Sequence, residues 1–184
     1  MCGIIGYTGK NKVKPIIIDA LTTLEYRGYD SAGMAVYNPD KKRTEVYKCA
    51  GRVRDLSKVC ENKNIDSTCG IGHTRWATHG GVCDANAHPH TQGSVTVVHN
   101  GIIENYKDLV EEYDLASSLK SETDTEVAAA VLDRCHAETG DPKKAITKAV
   151  RKLKGTFALV ILFDGEPDVI YSIRNVSPIV ATLS

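Results

Sequence analysis

The sequence lacks any excess of charge and any long hydrophobic run. Its 23 lysine and arginine residues are balanced by 23 aspartate and glutamate residues, so the formal net charge is zero. A neutral chain has no electrostatic attraction for nucleic acid or for an anionic membrane surface. No apolar run approaches the length of a membrane span, and no hydrophobic signal segment follows the start. We therefore expect a cytoplasmic protein with neither nucleic acid nor a membrane among its partners.

Paired cysteine motifs are also missing. The chain has 6 cysteines among its 184 residues, and no two of them form a CxxC pair. An even number of cysteines suits a disulfide framework in a short secreted chain, but this chain is neither short nor marked for secretion. We expect free thiols, with Cys60 and Cys135 acting as small core residues on the apolar faces of helices.

Hydrophobic periodicity predicts one α+β domain over residues 1–184. Strand patterns occur at the start, middle and end of the chain, and the helical patterns form two groups, which favours mainly antiparallel pairing. The composition, 42% hydrophobic and 25% charged, is that of an ordinary globular protein. The chain stops within or just after a strand pattern at 179–183, so we expect a domain truncated at its C-terminal end.

Several predicted elements border polar segments. A capping box, with Thr123 as N-cap and Glu126 three residues later, predicts where a helix begins. The apolar run 156–163 predicts a buried strand. The other predicted elements are a helix over 15–25, a hairpin of strands 32–37 and 44–50, a loop over 75–92, a strand over 94–99, a turn at Asn100-Gly101, and a strand over 169–173.

Cys2 is a candidate nucleophile because it directly follows the initiator methionine. Removal of Met1 is expected, since the side chain behind it is small, and Cys2 would then carry a thiol and a free α-amine. An unperturbed α-amine has a pKa of about 7.7–8.0, so part of it is neutral near pH 7.5. A neutral amine beside a thiol is a nucleophile with its own general base. A cysteine at this position by chance is the alternative.

Other polar residues suit a reaction at an amide. Asn100 and Gly101 offer a side-chain amide and a backbone N–H, the donors that a developing oxyanion needs. Arg75 offers a bidentate clamp for an α-carboxylate, and Asp124, at a helix start, offers a partner for an α-ammonium. Each has a plain structural alternative: a turn dipeptide, a salt bridge and a first-turn acid.

A metal site is a weaker alternative. Zinc favours histidine and cysteine ligands, and the loop region contains five candidates. These are His73, His79, Cys83, His88 and His90. Their spacing matches no structural zinc pattern, so a hydrogen-bonding role is favoured and no metal or organic cofactor is expected.

Beyond these single residues, several long motifs resemble the class II glutamine amidotransferases of the N-terminal-nucleophile hydrolase superfamily. The resemblance begins with Cys2-Gly3-Ile4 and covers essentially the whole chain. Within that family, the chain resembles the glutaminase domains of the glutamine–fructose-6-phosphate aminotransferases most. It resembles the purine-pathway amidophosphoribosyltransferases less. The motifs that carry it are Leu24 to Gly33 (LEYRGYDSAG), His73 to Gly80 (HTRWATHG), Asn86 to His90 (NAHPH), His99 to Asn105 (HNGIIEN) and Ser121 to Glu126 (SETDTE).

The resemblance implies a fold and a role for each site residue. The implied fold is a four-layer αββα sandwich of two antiparallel sheets. Cys2 would be the nucleophile, and Asn100 and Gly101 would form the oxyanion hole. The residues implied to line a pocket for L-glutamine are Arg75, Thr78, His79, His88 and Asp124. Trp76 would lie where ammonia leaves, and Arg27 would support the Cys2 end.

The resemblance also implies a larger enzyme. Members of this family continue into a two-lobed sugar-isomerase half that binds fructose 6-phosphate, and no such segment is present in these 184 residues. The resemblance therefore implies that this chain hydrolyses glutamine but does not make glucosamine 6-phosphate by itself. A homodimer of the chain is compatible with the sequence. A truncated, non-catalytic glutamine-binding module is the alternative.

Overall fold

Two four-stranded antiparallel sheets lie face to face, with helices on both outer faces. The computed structural model describes residues 2–77 and 80–183, so Met1, Thr78, His79 and Ser184 lie outside the described residues. The strand order is β1-β4-β2-β3 in the first sheet and β5-β6-β7-β8 in the second. Every pairing in both sheets is antiparallel.

The first sheet and its helices come from the N-terminal part of the chain. The β2–β3 hairpin predicted from alternation is present, with Ala35 opposite Val46. The elements are β1 (Gly3–Thr8), α1 (Val13–Leu24), a short 3-10 helix (Glu25–Arg27), β2 (Ser31–Asn38), β3 (Arg43–Ala50), α2 (Val53–Glu61) and β4 (Cys69–Arg75).

The second sheet follows after the long loop. Its outer face carries three helices, and its two central strands, β6 and β7, pair along nine residues each. The elements are β5 (His90–Gln92), β6 (Val95–Ile103), α3 (Tyr106–Glu112), α4 (Asp124–Thr139), α5 (Pro142–Val150), β7 (Gly155–Phe163) and β8 (Tyr171–Asn175).

The alternation of side chains along each strand divides the interior into three apolar cores, one per layer interface. On β2, Met34 and Val36 join the core beneath α1 and α2, whereas Ala35 points into the core between the sheets. On β7, Leu159 joins the core beneath α3, α4 and α5, and Val160 the core between the sheets. Three cores between four layers make the αββα sandwich that was predicted.

Cys60 and Cys135 are fully buried, as the helical periodicity predicted, and all six cysteines are free thiols. Both lie on helix faces that pack against a sheet, α2 in one layer and α4 in the other. Within the described ranges, no helix has the length and apolarity that crossing a bilayer requires.

Four predictions about local structure need correction. The predicted turn at Asn100-Gly101 lies inside β6, because these residues pair with Ala158 and Phe157 of β7. The end of the predicted loop 75–92 forms β5, which pairs with β6. Helix α1 begins at Val13, so the proline predicted to open it is the third helical residue, where its missing N–H is still harmless.

The fourth correction concerns the predicted strand at 179–183. These residues have no strand structure, and the side chains of Val180 and Leu183 are 92% and 102% exposed. A strand needs a neighbour for its backbone hydrogen bonds, and β8 is the edge of its sheet among the described residues. Residues 179–183 have the apolar composition of a strand, but no described strand lies beside them to accept and donate backbone hydrogen bonds.

The layered core predicts that replacing Leu159 by alanine destabilises the protein much more than replacing Leu183. Leu159 is fully buried in β7, so Leu159→Ala should lower the free energy of unfolding by about 2–5 kcal/mol through lost burial and a cavity. Leu183→Ala is the matched control and should change it by less than about 0.5 kcal/mol. Urea denaturation measures both, and similar losses in the two variants would contradict the core assignment.

Candidate active site

Cys2 lies at the end of β1, where three other segments meet. Because Gly3 pairs with Thr74, the residue before β1 lies beside the end of β4. There the backbone N–H of Trp76 donates to Cys2 Sγ at 3.2 Å. The thiol is partly exposed, so it lies at a surface that a substrate can reach.

The backbone of Cys2 is held from two further directions. Its carbonyl oxygen accepts from Arg27 Nε at 3.4 Å and from Asn100 Nδ2 at 3.1 Å. Arg27 lies in the short 3-10 helix after α1, and Asn100 lies in β6 of the other sheet. Donors from the 3-10 helix and from the second sheet therefore fix the Cys2 carbonyl, which limits the freedom of a residue close to a chain end.

The loop after the 3-10 helix fixes the segment that contacts the thiol. Asp30 N donates to Arg75 O at 3.0 Å, and Asp30 Oδ2 accepts from Ala77 N at 2.9 Å. Gly28 permits this approach, because a Cβ there would lie 2.8 Å from the carbonyl carbon of Arg75. Sequence inspection gave Asp30 no role beyond its place in a motif.

Gly101 occupies a position that only glycine fits. Its φ is +130°, and an added Cβ would lie 1.9 Å from the carbonyl oxygen of Thr156. It borders the same pocket as Cys2, while the neighbouring Asn100 amide contacts the Cys2 carbonyl. The two residues predicted to form an oxyanion hole thus lie beside the predicted nucleophile.

A polar pocket opens beside Cys2. Arg75, Trp76, His88, Gly101 and Asp124 all line it, so the structure brings these five predicted site residues together with Cys2. Arg27 lies behind the pocket, on the Cys2 backbone. Thr78 and His79 fall outside the described residues. The other lining residues are His73, His99, Thr123 and Thr125.

The two predicted charged groups are both anchored in place. Asp124 is the first residue of α4, and its Oδ2 accepts from Ile103 N at 2.7 Å. Arg75 is 5% exposed at the end of β4, and its Nη1 donates to Gly81 O at 3.3 Å. The pocket therefore offers a cation and an anion, the complement of an amino acid's α-carboxylate and α-ammonium.

Three buried histidines, His73, His88 and His99, line the pocket, and a fourth, His90, packs edge-on against His88. Burial lowers the pKa of His73 to about 3 and also lowers that of His99. Burial lowers the pKa of His88 and His90 well below the usual value. All four imidazoles are therefore neutral near pH 7.

These histidines contact one another and the start of α4. The rings of His73 and His88 stack with centroids 4.2 Å apart. His90 Nε2 lies 3.0 Å from Thr123 Oγ1, and His99 Nδ1 lies 3.0 Å from Thr125 Oγ1. In the described part of the chain, no three His, Cys, Asp or Glu side chains are arranged to hold a metal ion.

Glu126 supports the pocket in a way that the sequence predicted only in part. Thr123 Oγ1 accepts from Glu126 N at 3.3 Å, as the capping box requires. The Glu126 carboxylate, however, accepts from Lys120 N, Ser121 N, Ser121 Oγ and Gln92 Nε2 rather than from Thr123 N. The buried carboxylate therefore orders the loop before α4 instead of closing the box.

Two other sets of contacts that hold the pocket's loops were not predicted from the sequence. Lys48 Nζ donates to the carbonyls of Ala85, Ala87 and Pro89, which fixes the loop that carries His88. Asn86 Nδ2 donates to Glu122 Oε2, and Glu122 N donates back to Asn86 Oδ1, both at 3.0 Å. Lys48 was predicted only as part of the strand over 44–50, and neither contact has a local sequence signal.

The chain matches a family and a group of curated proteins. A family model described as a glutamine amidotransferase domain matches residues 73–180. The glutamine–fructose-6-phosphate aminotransferase (isomerizing) of Staphylococcus epidermidis is 48% identical over 181 residues, covering 97% of this chain and 30% of that protein. The Aquifex aeolicus protein of the same name is 46% identical, covering 100% of this chain and 31% of the relative. The chain thus spans about a third of these relatives.

Solved structures share the fold. The glutamine phosphoribosylpyrophosphate amidotransferase of B. subtilis superposes with a TM-score of 0.71 at 25% identity, covering 89% of this chain and 35% of that chain. A glutamine aminotransferase class-II domain protein from Silicibacter pomeroyi has a TM-score of 0.60 at 18% identity, covering 98% of this chain and 80% of that one.

The buried histidines predict that acid destabilises the protein. An unfolded histidine has a pKa of about 6.5, so the unfolded chain binds more protons than the folded chain below that value. Each histidine that stays neutral when folded should remove about 1 kcal/mol from the free energy of unfolding between pH 7 and pH 5.5. Urea denaturation at the two pH values measures the loss, which His90→Gln should reduce. Equal or greater stability at pH 5.5 would contradict this.

Proposed function

Because the chain belongs to the glutamine amidotransferase domain family, we propose that it hydrolyses L-glutamine to glutamate and ammonia with Cys2 as nucleophile. The observation that carries the proposal is the convergence of Cys2, Arg75 and Asp124 on one pocket, with the Asn100 amide beside Cys2. This arrangement pairs a thiol with the two charges that recognise a free amino acid.

Before any turnover, removal of Met1 leaves the α-amine of Cys2 free. The amine takes the thiol proton, directly or through a water, and the thiolate attacks the carboxamide carbon of glutamine. The C–N bond then breaks, and ammonia leaves with the proton that the amine returns. Water hydrolyses the resulting γ-glutamyl thioester to glutamate and regenerates the thiol. No metal or organic cofactor takes part.

The tetrahedral oxyanion is stabilised by Asn100 Nδ2 and the N–H of Gly101. A primary amide carries two N–H donors. One Asn100 donor faces the Cys2 carbonyl at 3.1 Å, and the other serves the oxyanion. Loss of one such donor typically costs about 10²–10³ in rate. The contact with Cys2 thus keeps the amide beside the carbon that the thiolate attacks.

The remaining residues recognise glutamine or direct its product. Arg75 binds the α-carboxylate, and Asp124 binds the α-ammonium while its Oδ2 stays anchored to Ile103 N. The family resemblance also assigns glutamine binding to Thr78, His79 and His88. Trp76 is 44% exposed and packs edge-on against Tyr29, with ring centroids 5.3 Å apart, so it suits the mouth where ammonia leaves.

In a longer protein this domain supplies ammonia. The relatives at 45–48% identity are named for transfer of nitrogen from glutamine to fructose 6-phosphate. We place residues 1–184 as the glutaminase domain of such an enzyme, with a sugar-isomerase domain as its partner and receiver of the ammonia. The purine-pathway amidotransferases are a weaker match, because their identity falls to 25%.

Labelling with a diazoketone analogue of glutamine tests the proposal. The Cys2 thiolate displaces N₂ from the analogue and keeps the remainder as a thioether, so one adduct should map to Cys2 by intact mass and peptide analysis. The starting mass must lack Met1, since a retained Met1 blocks the amine. Cys2→Ala should abolish the adduct and lower glutamine turnover by more than about 10⁴-fold.

Cys83→Ala is the matched control, since Cys83 is an exposed thiol in the loop before His88. It should label and turn over glutamine like the unaltered protein. A processed N-terminus that gives neither adduct nor turnover would favour the non-catalytic binding module. Full turnover by Cys2→Ala would show that the nucleophile is wrong.

A further inference from the structure

We propose that His73 is a positioning residue that fixes the orientation of the Asn100 side-chain amide, so that its NH₂ group faces the reacting carbon. His73 lies in β4 of the first sheet and Asn100 in β6 of the second. The inference rests on the proposed function, because it concerns the donor that stabilises the oxyanion.

The hydrogen-bond pattern determines which ring nitrogen of His73 carries its proton. His73 Nε2 lies 3.0 Å from the backbone carbonyl oxygen of His99. A carbonyl oxygen only accepts hydrogen bonds, so Nε2 must carry the proton. The same Nε2 lies 3.0 Å from Asn100 Oδ1.

The orientation of the Asn100 amide follows from that assignment. An N–H directed at the amide favours its oxygen and opposes its NH₂ group, since two donors would then face each other. With Oδ1 held by His73, Nδ2 lies on the opposite side, where it donates to the Cys2 carbonyl at 3.1 Å. Without His73, only the Cys2 carbonyl distinguishes this orientation from one rotated by 180°, in which Oδ1 would face the oxyanion and repel it.

The surroundings of His73 keep this donor in place. The side chain is 1% exposed, and its ring stacks on that of His88. Burial lowers the pKa of His73 to about 3, so the ring is neutral near pH 7. A second proton would go to Nδ1, a buried atom that has no hydrogen-bond partner among the described residues.

A purely structural role would have different consequences. If His73 only filled space between the sheets, an apolar side chain of similar length would replace it without specific loss at the chemical step. If it sets the Asn100 amide, the loss appears in kcat, because the oxyanion exists only after attack. Glutamine binding through Arg75 and Asp124 would be nearly unchanged.

Two variants of similar shape test the role of the donor. Gln places an amide nitrogen near the position of Nε2, whereas Met fills the same space without a donor. We expect His73→Met to lower kcat by about 10–10²-fold, less than loss of the whole donor, with KM changed by less than about threefold. His73→Gln should recover most of kcat. His136→Met, at a histidine on the outer helix α4, is the control for loss of an imidazole and should keep kcat.

A double-mutant cycle with Asn100→Ala tests whether His73 acts through Asn100. If it does, His73→Met in the Asn100→Ala background should change kcat by less than about threefold. Multiplied losses in the double variant would overturn the inference, as would an unchanged kcat in His73→Met. If His73→Met does not fold, as judged by circular dichroism, His73→Asn enters the cycle instead, because its shorter amide does not reach Asn100.

Inhibition by the γ-aldehyde of glutamate gives a second readout of oxyanion stabilisation. The Cys2 thiol adds to this aldehyde, and the adduct carries an oxyanion. His73→Met should weaken inhibition by this aldehyde about 10-fold or more and leave inhibition by glutamate nearly unchanged. Equal weakening of both would overturn the inference and leave the proposed function intact. Absence of turnover in the unaltered, Met1-free protein would overturn the proposed function itself, and the inference with it.

Discussion

The structure depends on the antiparallel pairing of β1 with β4, which brings a residue near the chain terminus to the lining of the pocket. Gly3 lies opposite Thr74, so Cys2 meets the segment that carries Arg75 and Trp76. A residue near the chain terminus is tethered on one side only and would otherwise be mobile. Hydrogen bonds from Arg27, Asn100 and the Trp76 backbone provide the missing restraint. For the nucleophile that we propose, a fixed position matters because misplacement by about 1 Å is costly to a reaction.

The sandwich architecture supplies those restraints from two directions. One sheet provides the end of β4, and the other provides β6 with Asn100 and Gly101. Backbones must approach closely for this to work, and glycine permits it. At Gly33, a Cβ would lie 2.1 Å from the carbonyl oxygen of His88, so the loop that carries His88 packs directly on β2. Lys48, on the neighbouring strand, binds three carbonyls of the same loop. The sheets beneath the site therefore hold its residues in place, and the loop residues alone do not fix their positions.

The sequence predicted local structure where one short pattern decides the outcome. Alternation located the β2–β3 hairpin, and the Thr123 N-cap located the start of α4. Predictions were wrong where a distant segment decides: the turn propensity of Asn100-Gly101 is overridden by pairing with β7, and residues 179–183 have no described strand beside them. Chemistry made Cys2, Asn100, Arg75 and Asp124 candidates, because each offers a group that amide hydrolysis needs, and the resemblance of the long motifs favoured these roles over the structural alternatives. The contacts of His73, Lys48 and Glu126 are made with partners brought together by folding, and no spacing in the sequence reveals them.

The buried histidines make the part of the pocket beside Cys2 polar but uncharged. Their pKa values are lowered by desolvation, so the interior beside Cys2 is lined with neutral imidazoles. Formal charge remains at Arg75 and Asp124, the groups suited to the charged end of an amino acid. A carboxamide is neutral and both donates and accepts hydrogen bonds, and a neutral imidazole matches it because one ring nitrogen donates and the other accepts. A protonated histidine at this depth would oppose the positive charge of Arg75 and require a counter-charge. Burial therefore keeps the part of the pocket beside Cys2 neutral. In the reaction that we propose, the oxyanion would develop in these uncharged surroundings, where hydrogen-bond donors stabilise it most strongly.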